Sequence, residues 1–116
     1  MKTDFQKIID VYNDIVGSIE NIEITEEEQI SKLKTKLRLF DGTILWVREV
    51  RVKEIIEAYS YYWLRPDETV IIGWDNAPHY KEINSFPHHR HIGNRVEPSQ
   101  EKNLSEVLSF IRNFFG

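Results

Sequence analysis

The chain predicts an α+β fold: an N-terminal helix, a four- to five-stranded antiparallel sheet, a His-rich loop and a C-terminal helix. The helices pack on one face of the sheet, in two layers. Three observations carry this reading. Apolar residues recur at helical spacing near both ends, apolar and charged residues alternate through the middle, and turn residues separate the alternating runs. The length fits a single domain over residues 1–116.

Thr3 followed by Gln6 makes a capping-box pattern. Phe5, Ile8, Ile9, Tyr12, Ile15 and Val16 then form one helical stripe, which Gly17 and Ser18 end. Ile19, Ile22 and Ile24 predict a short strand or an extended connection over 19–25. From Gln29 to Phe40, Leu33, Thr35, Leu37 and Leu39 alternate with Lys32, Lys34, Lys36 and Arg38, the period of a strand with one buried face. Asp41-Gly42 reads as a two-residue turn. That turn sets Leu39 opposite Ile44, Leu37 opposite Trp46 and Thr35 opposite Arg48. The other face then carries Lys34, Lys36 and Arg38 with Leu45, Val47 and Glu49. Residues 51–65 are rich in aromatic and branched side chains and read as one long strand. A helix over 52–60 competes, because Val52, Ile55, Ile56 and Tyr59 also fit a helical period. A turn at Pro66-Asp67 leads into the strand VIIGWD, 70–75. Beyond it Pro78, Pro87 and Pro98 predict a loop. Asn103 or Ser105 caps the final helix, whose stripe is Leu104, Val107, Leu108, Ile111, Phe114 and Phe115.

With 41% hydrophobic and 29% charged residues the chain is not disordered, and with no Cys it holds neither disulfides nor thiolate zinc. No apolar run reaches the ~18 residues of a membrane span. Asp and Lys punctuate the N-terminus, which is unlike a signal peptide. A cytoplasmic protein is expected. The net charge of −4 argues against a general nucleic-acid binder. Yet residues 1–28 hold eight of the acidic residues and two of the basic ones, so an acidic N-terminal arm adjoins a mildly basic body.

The four His fall at 79, 88, 89 and 91, beside Arg90 and Arg95. In extended backbone His89 and His91 share one side, while His88 and Arg90 take the other. Three readings stay open. One is metal-free acid–base chemistry on RNA, in which one imidazole takes the 2′-OH proton and another protonates the leaving oxygen. Arg90, Arg95, Lys34, Lys36 and Arg38 would then hold phosphate. The second is a metal site of His-x-His with Asp75 or Glu82. The third is imidazoles that cap loops or face solvent. Asp75 and Asn76 form an Asx-turn or, in the functional reading, orient a His. Tyr59, Tyr61, Tyr62 and Trp63 are core residues or base-stacking ones.

The segments LRLFDGTILWVRE and WDNAPHYKEINSFPHHRH, with a Leu-Ser-x-Val-Leu helix, resemble the TumE family of toxins from prokaryotic toxin–antitoxin pairs. The motif carries onto Trp74, Asp75, Asn76, Ala77, Pro78 and His79, and onto Phe86, Pro87, His88, His89 and His91. Tyr80 stands where the family often has another His. The resemblance implies a toxin silenced by an antitoxin partner. The order of elements is also similar to that of barnase- and RelE-type ribonucleases, an analogy of fold alone. Together these give the expected function: a metal-independent endoribonuclease. His88, His89 and His91 supply base and acid, His79 and Asp75 orient the site, and Arg90, Arg95, Lys34, Lys36 and Arg38 bind RNA. The competing expectation is a non-catalytic module that binds a metal or a partner. A third alternative is a plain homodimer built through the aromatic strand 59–63.

Overall fold

The computed structural model describes residues 2–115, except the side chains of Lys2 and Thr3. The capping pattern at Thr3 therefore lies outside the described side chains. The elements are α1 (Lys2–Val11), β1 (Val16–Glu27), β2 (Ile30–Leu39), β3 (Ile44–Val52), β4 (Ile55–Leu64), β5 (Val70–Asp75), β6 (His89–Ile92), β7 (Arg95–Pro98) and α2 (Leu104–Phe115). The seven strands lie side by side in chain order, each antiparallel to the next. The α+β class and the two terminal helices are as expected, but the strands number seven rather than four or five. Among the described residues no helix is long and apolar enough to cross a membrane.

The extra strands have identifiable causes. The helix stops at Val11, and Ile15 enters the core from the turn that follows and Val16 from the first residue of β1. Their spacing therefore mimics a helical stripe that has already ended, and β1 runs well beyond the expected 19–25. The run 51–65 is two strands, because Lys53 and Glu54 turn the chain with φ of 51° and 70°. That is the geometry of a hairpin turn usually announced by Asn-Gly. The expected His-rich loop ends in the hairpin β6–β7, turned at Gly93-Asn94 with Gly93 at φ 59°.

Three residues, not two, lie between Leu39 and Thr43, the last bonded pair before the β2–β3 turn. Leu39 donates its N–H to Thr43 O at 2.9 Å, and Gly42 donates to Leu39 O at 3.0 Å, with Gly42 at φ 90°. Thr43 donates to Asp41 Oδ1 through both its N–H and its hydroxyl, at 2.9 and 2.6 Å. Thr69 and Asp67 repeat this arrangement in the β4–β5 loop. A one-residue change of register exchanges the faces. Leu37 pairs with Leu45, Thr35 with Val47 and Leu33 with Glu49, whereas Lys36 pairs with Trp46 and Lys34 with Arg48.

The core lies between the sheet and both helices. Phe5 and Ile9 of α1, Tyr12 just beyond it, and Leu104, Val107, Leu108 and Ile111 of α2 meet Leu33, Leu37, Leu45, Val47, Tyr59, Tyr61, Trp63 and Trp74. A reciprocal cap starts α2: Glu106 N–H donates to Asn103 Oδ1 (2.9 Å) and Asn103 N–H to Glu106 Oε1 (3.1 Å). The stripe stops at Ile111. Phe114 is largely exposed, its ring edge-on to Trp63. The strand proposed for a dimer, 59–63, is interior. Its backbone pairs with β3 on one side and β5 on the other, so it offers no free edge to a second copy.

Candidate functional site on the helix-free face of the sheet

Register decides which side chains share the face that the helices leave open. One row across β2–β6 reads Lys34, Arg48, Ser60, Asp75, His89. The next reads Lys36, Trp46, Tyr62, Gly73, His91. Cross-strand partners point the same way, and strands stand about 4.8 Å apart. Arg48 is therefore about two strands, or ~10 Å, from Asp75 along the row.

Asp75 is the hub. It is buried, yet four groups converge on its carboxylate. His89 Nε2 lies 2.9 Å from Oδ1, and Ala77 donates its N–H to the same oxygen at 3.0 Å, closing an Asx-turn. Tyr62 donates its hydroxyl to Oδ2 at 2.7 Å, and His91 Nε2 lies 3.4 Å from Oδ2. Asn76 extends the frame, accepting Tyr59 N–H on its Oδ1 and donating from Nδ2 to Glu57 O, both at 3.0 Å. The Asp-Asn pair thus ties the end of β5 to β4 where regular pairing has stopped.

His89 is held at both nitrogens. Its Nδ1 is 3.0 Å from Pro87 O, an oxygen that can only accept, so Nδ1 carries a proton. Nε2 therefore is the nitrogen that faces Asp75 Oδ1. His91 is different. Its side chain is 26% exposed, against 2% for His89, so His91 is the imidazole a ligand can reach. The Tyr80 ring stands edge-on to both, with centroids 4.8 and 5.9 Å away. Burial, and then the bond to Asp75, push the Tyr62 phenol up, so it stays a donor. The Tyr62 ring lies over Gly73. A Cβ at Gly73 would meet it inside van der Waals contact, with even Cζ at 2.8 Å.

The remaining expected site residues are not brought here. His88 lies on the helix side, with Nδ1 2.9 Å from Tyr59 OH and the two rings stacked. Arg90 points the same way as Trp74 and pairs with Glu97 at 3.0 Å, as Arg95 does at 3.3 Å. His79 is exposed in the turn after β5, where its N–H bonds Ala77 O. Arg38 and Lys36 are on the open face but pair with Glu20 of β1, at 2.8 and 3.7 Å. Arg38 holds that carboxyl below its usual range. Lys34 is exposed in the same stripe.

Arg48 and Gly73 are site residues that the sequence does not mark: a two-residue turn puts Arg48 on the opposite face, and nothing in the spacing places Gly73 under Tyr62. Tyr62, a candidate for core packing or base stacking, instead donates to Asp75. Arg48 and Asp75 both line a cleft of about 600 Å³ walled by Val50, Ala58, Pro78 and Phe86. The ligand-capable atoms of Asp75, His89 and His91 all lie within 4.8 Å of one another.

A family model described as Toxin TumE matches residues 5–115, wider at both ends than the segments that carry the resemblance in the sequence. No curated protein and no solved structure matches the chain.

Proposed function

The chain belongs to the TumE toxin family, and from that premise we propose that it is the toxin of a toxin–antitoxin pair, acting as a metal-independent endoribonuclease. The observation that carries the proposal is Asp75 holding two imidazoles on the helix-free face, in register with a row of cations. His91 takes the proton of a ribose 2′-hydroxyl. The freed oxygen bonds to the adjacent phosphorus, the bond from phosphorus to the 5′ oxygen breaks, and that oxygen takes a proton from solvent. The products are a 2′,3′-cyclic phosphate and a 5′-hydroxyl. At 3.4 Å the His91–Asp75 contact is long for a hydrogen bond, but it becomes an ion pair once His91 is protonated. His89 and Tyr62 hold Asp75 in place for that moment. Arg48 and Lys34, with Lys36 further along the sheet, supply positive charge for the phosphates.

His88, Arg90 and Arg95 lie on the other side of β6 and β7, so the proposal assigns proton transfer to His91 rather than to the whole cluster. The likeness of element order to barnase- and RelE-type ribonucleases belongs to the same proposal. So do the antitoxin partner, which silences the toxin by covering this open face, and a cytoplasmic site of action.

The test is RNA cleavage by protein held in EDTA. The expected result is 2′,3′-cyclic ends, with the rate lowered about 10²- to 10⁴-fold in His91→Ala. No cleavage by the unaltered protein, or full cleavage by the variant, refutes the mechanism. A second reading, a non-catalytic binding module of a toxin complex, is favoured by the closeness of the three ligand-capable residues.

A further inference from the structure

We propose that Asp75, His89 and His91 bind one divalent transition-metal ion of the zinc type, and that the ion shuts off the proton-transfer role of His91. The ion site stands whether or not the protein cleaves RNA, whereas the shut-off of His91 rests on the ribonuclease reading above.

Geometry comes first. Asp75 Oδ1 and His89 Nε2 are 2.9 Å apart, Asp75 Oδ2 and His91 Nε2 are 3.4 Å apart, and the set spans no more than 4.8 Å. In a tetrahedral site with bonds of about 2.0–2.2 Å, ligand atoms stand roughly 3.3–3.6 Å from one another. The two pairs that Asp75 makes, each through its own oxygen, are within about half an ångström of that spacing, and the widest separation of the set, at most 4.8 Å, exceeds it by about 1.2–1.5 Å. Side-chain rotation of that order brings the three ligand atoms around one ion.

The surroundings also suit an ion. His89 Nδ1 is engaged by Pro87 O, which leaves Nε2 as the ligand atom and fixes the ring. Asp75 is oriented by the Tyr62 hydroxyl and the Ala77 N–H. Such outer bonds set the tautomer and direction of metal ligands. Asp75 and His89 are directly paired across β5 and β6, and His91 follows on the same side of β6, so the three side chains project from adjoining strands. Two imidazoles and one carboxylate favour zinc-type ions over calcium or magnesium, which prefer oxygen. Three protein ligands leave a fourth position, on the open face, for water.

The consequence is chemical competition. The lone pair of His91 Nε2 that accepts the 2′-hydroxyl proton is the one that binds the ion, and both uses cannot occur together. The metal-loaded toxin is therefore inactive in the metal-free reaction.

The test uses untagged full-length protein, stripped with EDTA and dialysed free of it. Zinc is titrated calorimetrically, and cobalt(II) is followed by its visible absorption. The expected result is one ion per chain. Affinity falls at least 100-fold in His91→Ala, whose fold is checked by circular dichroism, and is unchanged in His79→Ala. Magnesium and calcium give no signal. Failure to bind a stoichiometric ion, or equal binding by His91→Ala, overturns the proposal. Binding is read without RNA. Protein that binds zinc but never cleaves RNA upholds the ion site and refutes the ribonuclease reading, and with it the shut-off of His91. Protein that cleaves in EDTA but binds no zinc upholds that reading and refutes the ion site.

Discussion

Substituting Gly73 by Ala probes how the site is assembled. The Tyr62 ring fills the space where a side chain at Gly73 would begin, and the same tyrosine donates the 2.7 Å bond to Asp75. A methyl group there cannot be accommodated by a rotamer change of its own, so the ring has to move. Overpacking of this kind costs about 1–3 kcal/mol, and a weakened hydrogen bond to a buried carboxylate adds about 1–2 kcal/mol. The expected loss is about 2–5 kcal/mol. For a chain of this size that lowers Tm by roughly 8–20 °C. The assay is a double-mutant cycle in urea and heat. In a Tyr62→Ala background the clash is gone, and Gly73 has an ordinary strand conformation that Ala can adopt. There Gly73→Ala is expected to be neutral or to stabilise by ~0.4–1 kcal/mol, since Ala restricts the unfolded chain. The same destabilisation in both backgrounds would refute the reasoning. Cleavage by the single variant, measured below its Tm, is expected to fall, because Asp75 loses a donor that holds it.

Two further outcomes are expected. Burial raises the phenols of Tyr59, Tyr61 and Tyr62, Tyr59 up to about 12, and the buried Glu49 carboxylate beside Tyr61 adds to that rise. Unfolded tyrosine ionises near 10, so above that pH the native state keeps protons the unfolded chain has lost, and stability falls with rising pH. The stabilisation is complete below about pH 10, and the part due to Tyr59 is lost between about 10 and 12. A Tm that stays level to pH 11.5 would contradict this. Arg48→Ala is expected to weaken RNA binding to a similar extent across sequences and to reduce the slope of log K against log salt by about 1, read from binding isotherms at several salt concentrations. An unchanged slope would remove Arg48 from the phosphate path.

What the sequence made legible follows from how local each signal is. The alternation in 32–39 needs only the strand period, and its buried and charged sides are as expected. The reciprocal cap at Asn103 and the stripe as far as Ile111 need only a helix. The hairpin turns were harder. Lys53-Glu54 adopts positive φ without the residues that favour it, because the strands on either side dictate the geometry. Asp41-Gly42 reads as a turn, but a two-residue turn there leaves Phe40 in the strand. Its ring is 68% exposed and belongs to the loop. That single residue moved Arg48 to the wrong face and Leu45 out of the core. Asp75 and the His-x-His spacing were visible as residue types. The pairing of Gly73 with Tyr62 was not, since it joins two strands through a contact that no spacing along the chain reveals.

Strand parity also sorts the histidine cluster. His88, His89, Arg90 and His91 are consecutive, and an extended backbone sends alternate members to opposite faces. The helix face takes His88 against Tyr59 and Arg90 against Glu97, where each has a structural partner. The open face takes His89 and His91, and register then places both beside Asp75. Composition alone suggested three imidazoles acting together. The sheet divides them into a buried member fixed at both nitrogens, an accessible member on the same carboxylate, and one that belongs to packing. A catalytic or metal-binding role thus makes different demands on neighbouring histidines. Loss of His88 should register in stability, and loss of His91 in chemistry or ion binding. A site formed by the whole cluster would show the same functional loss at both positions.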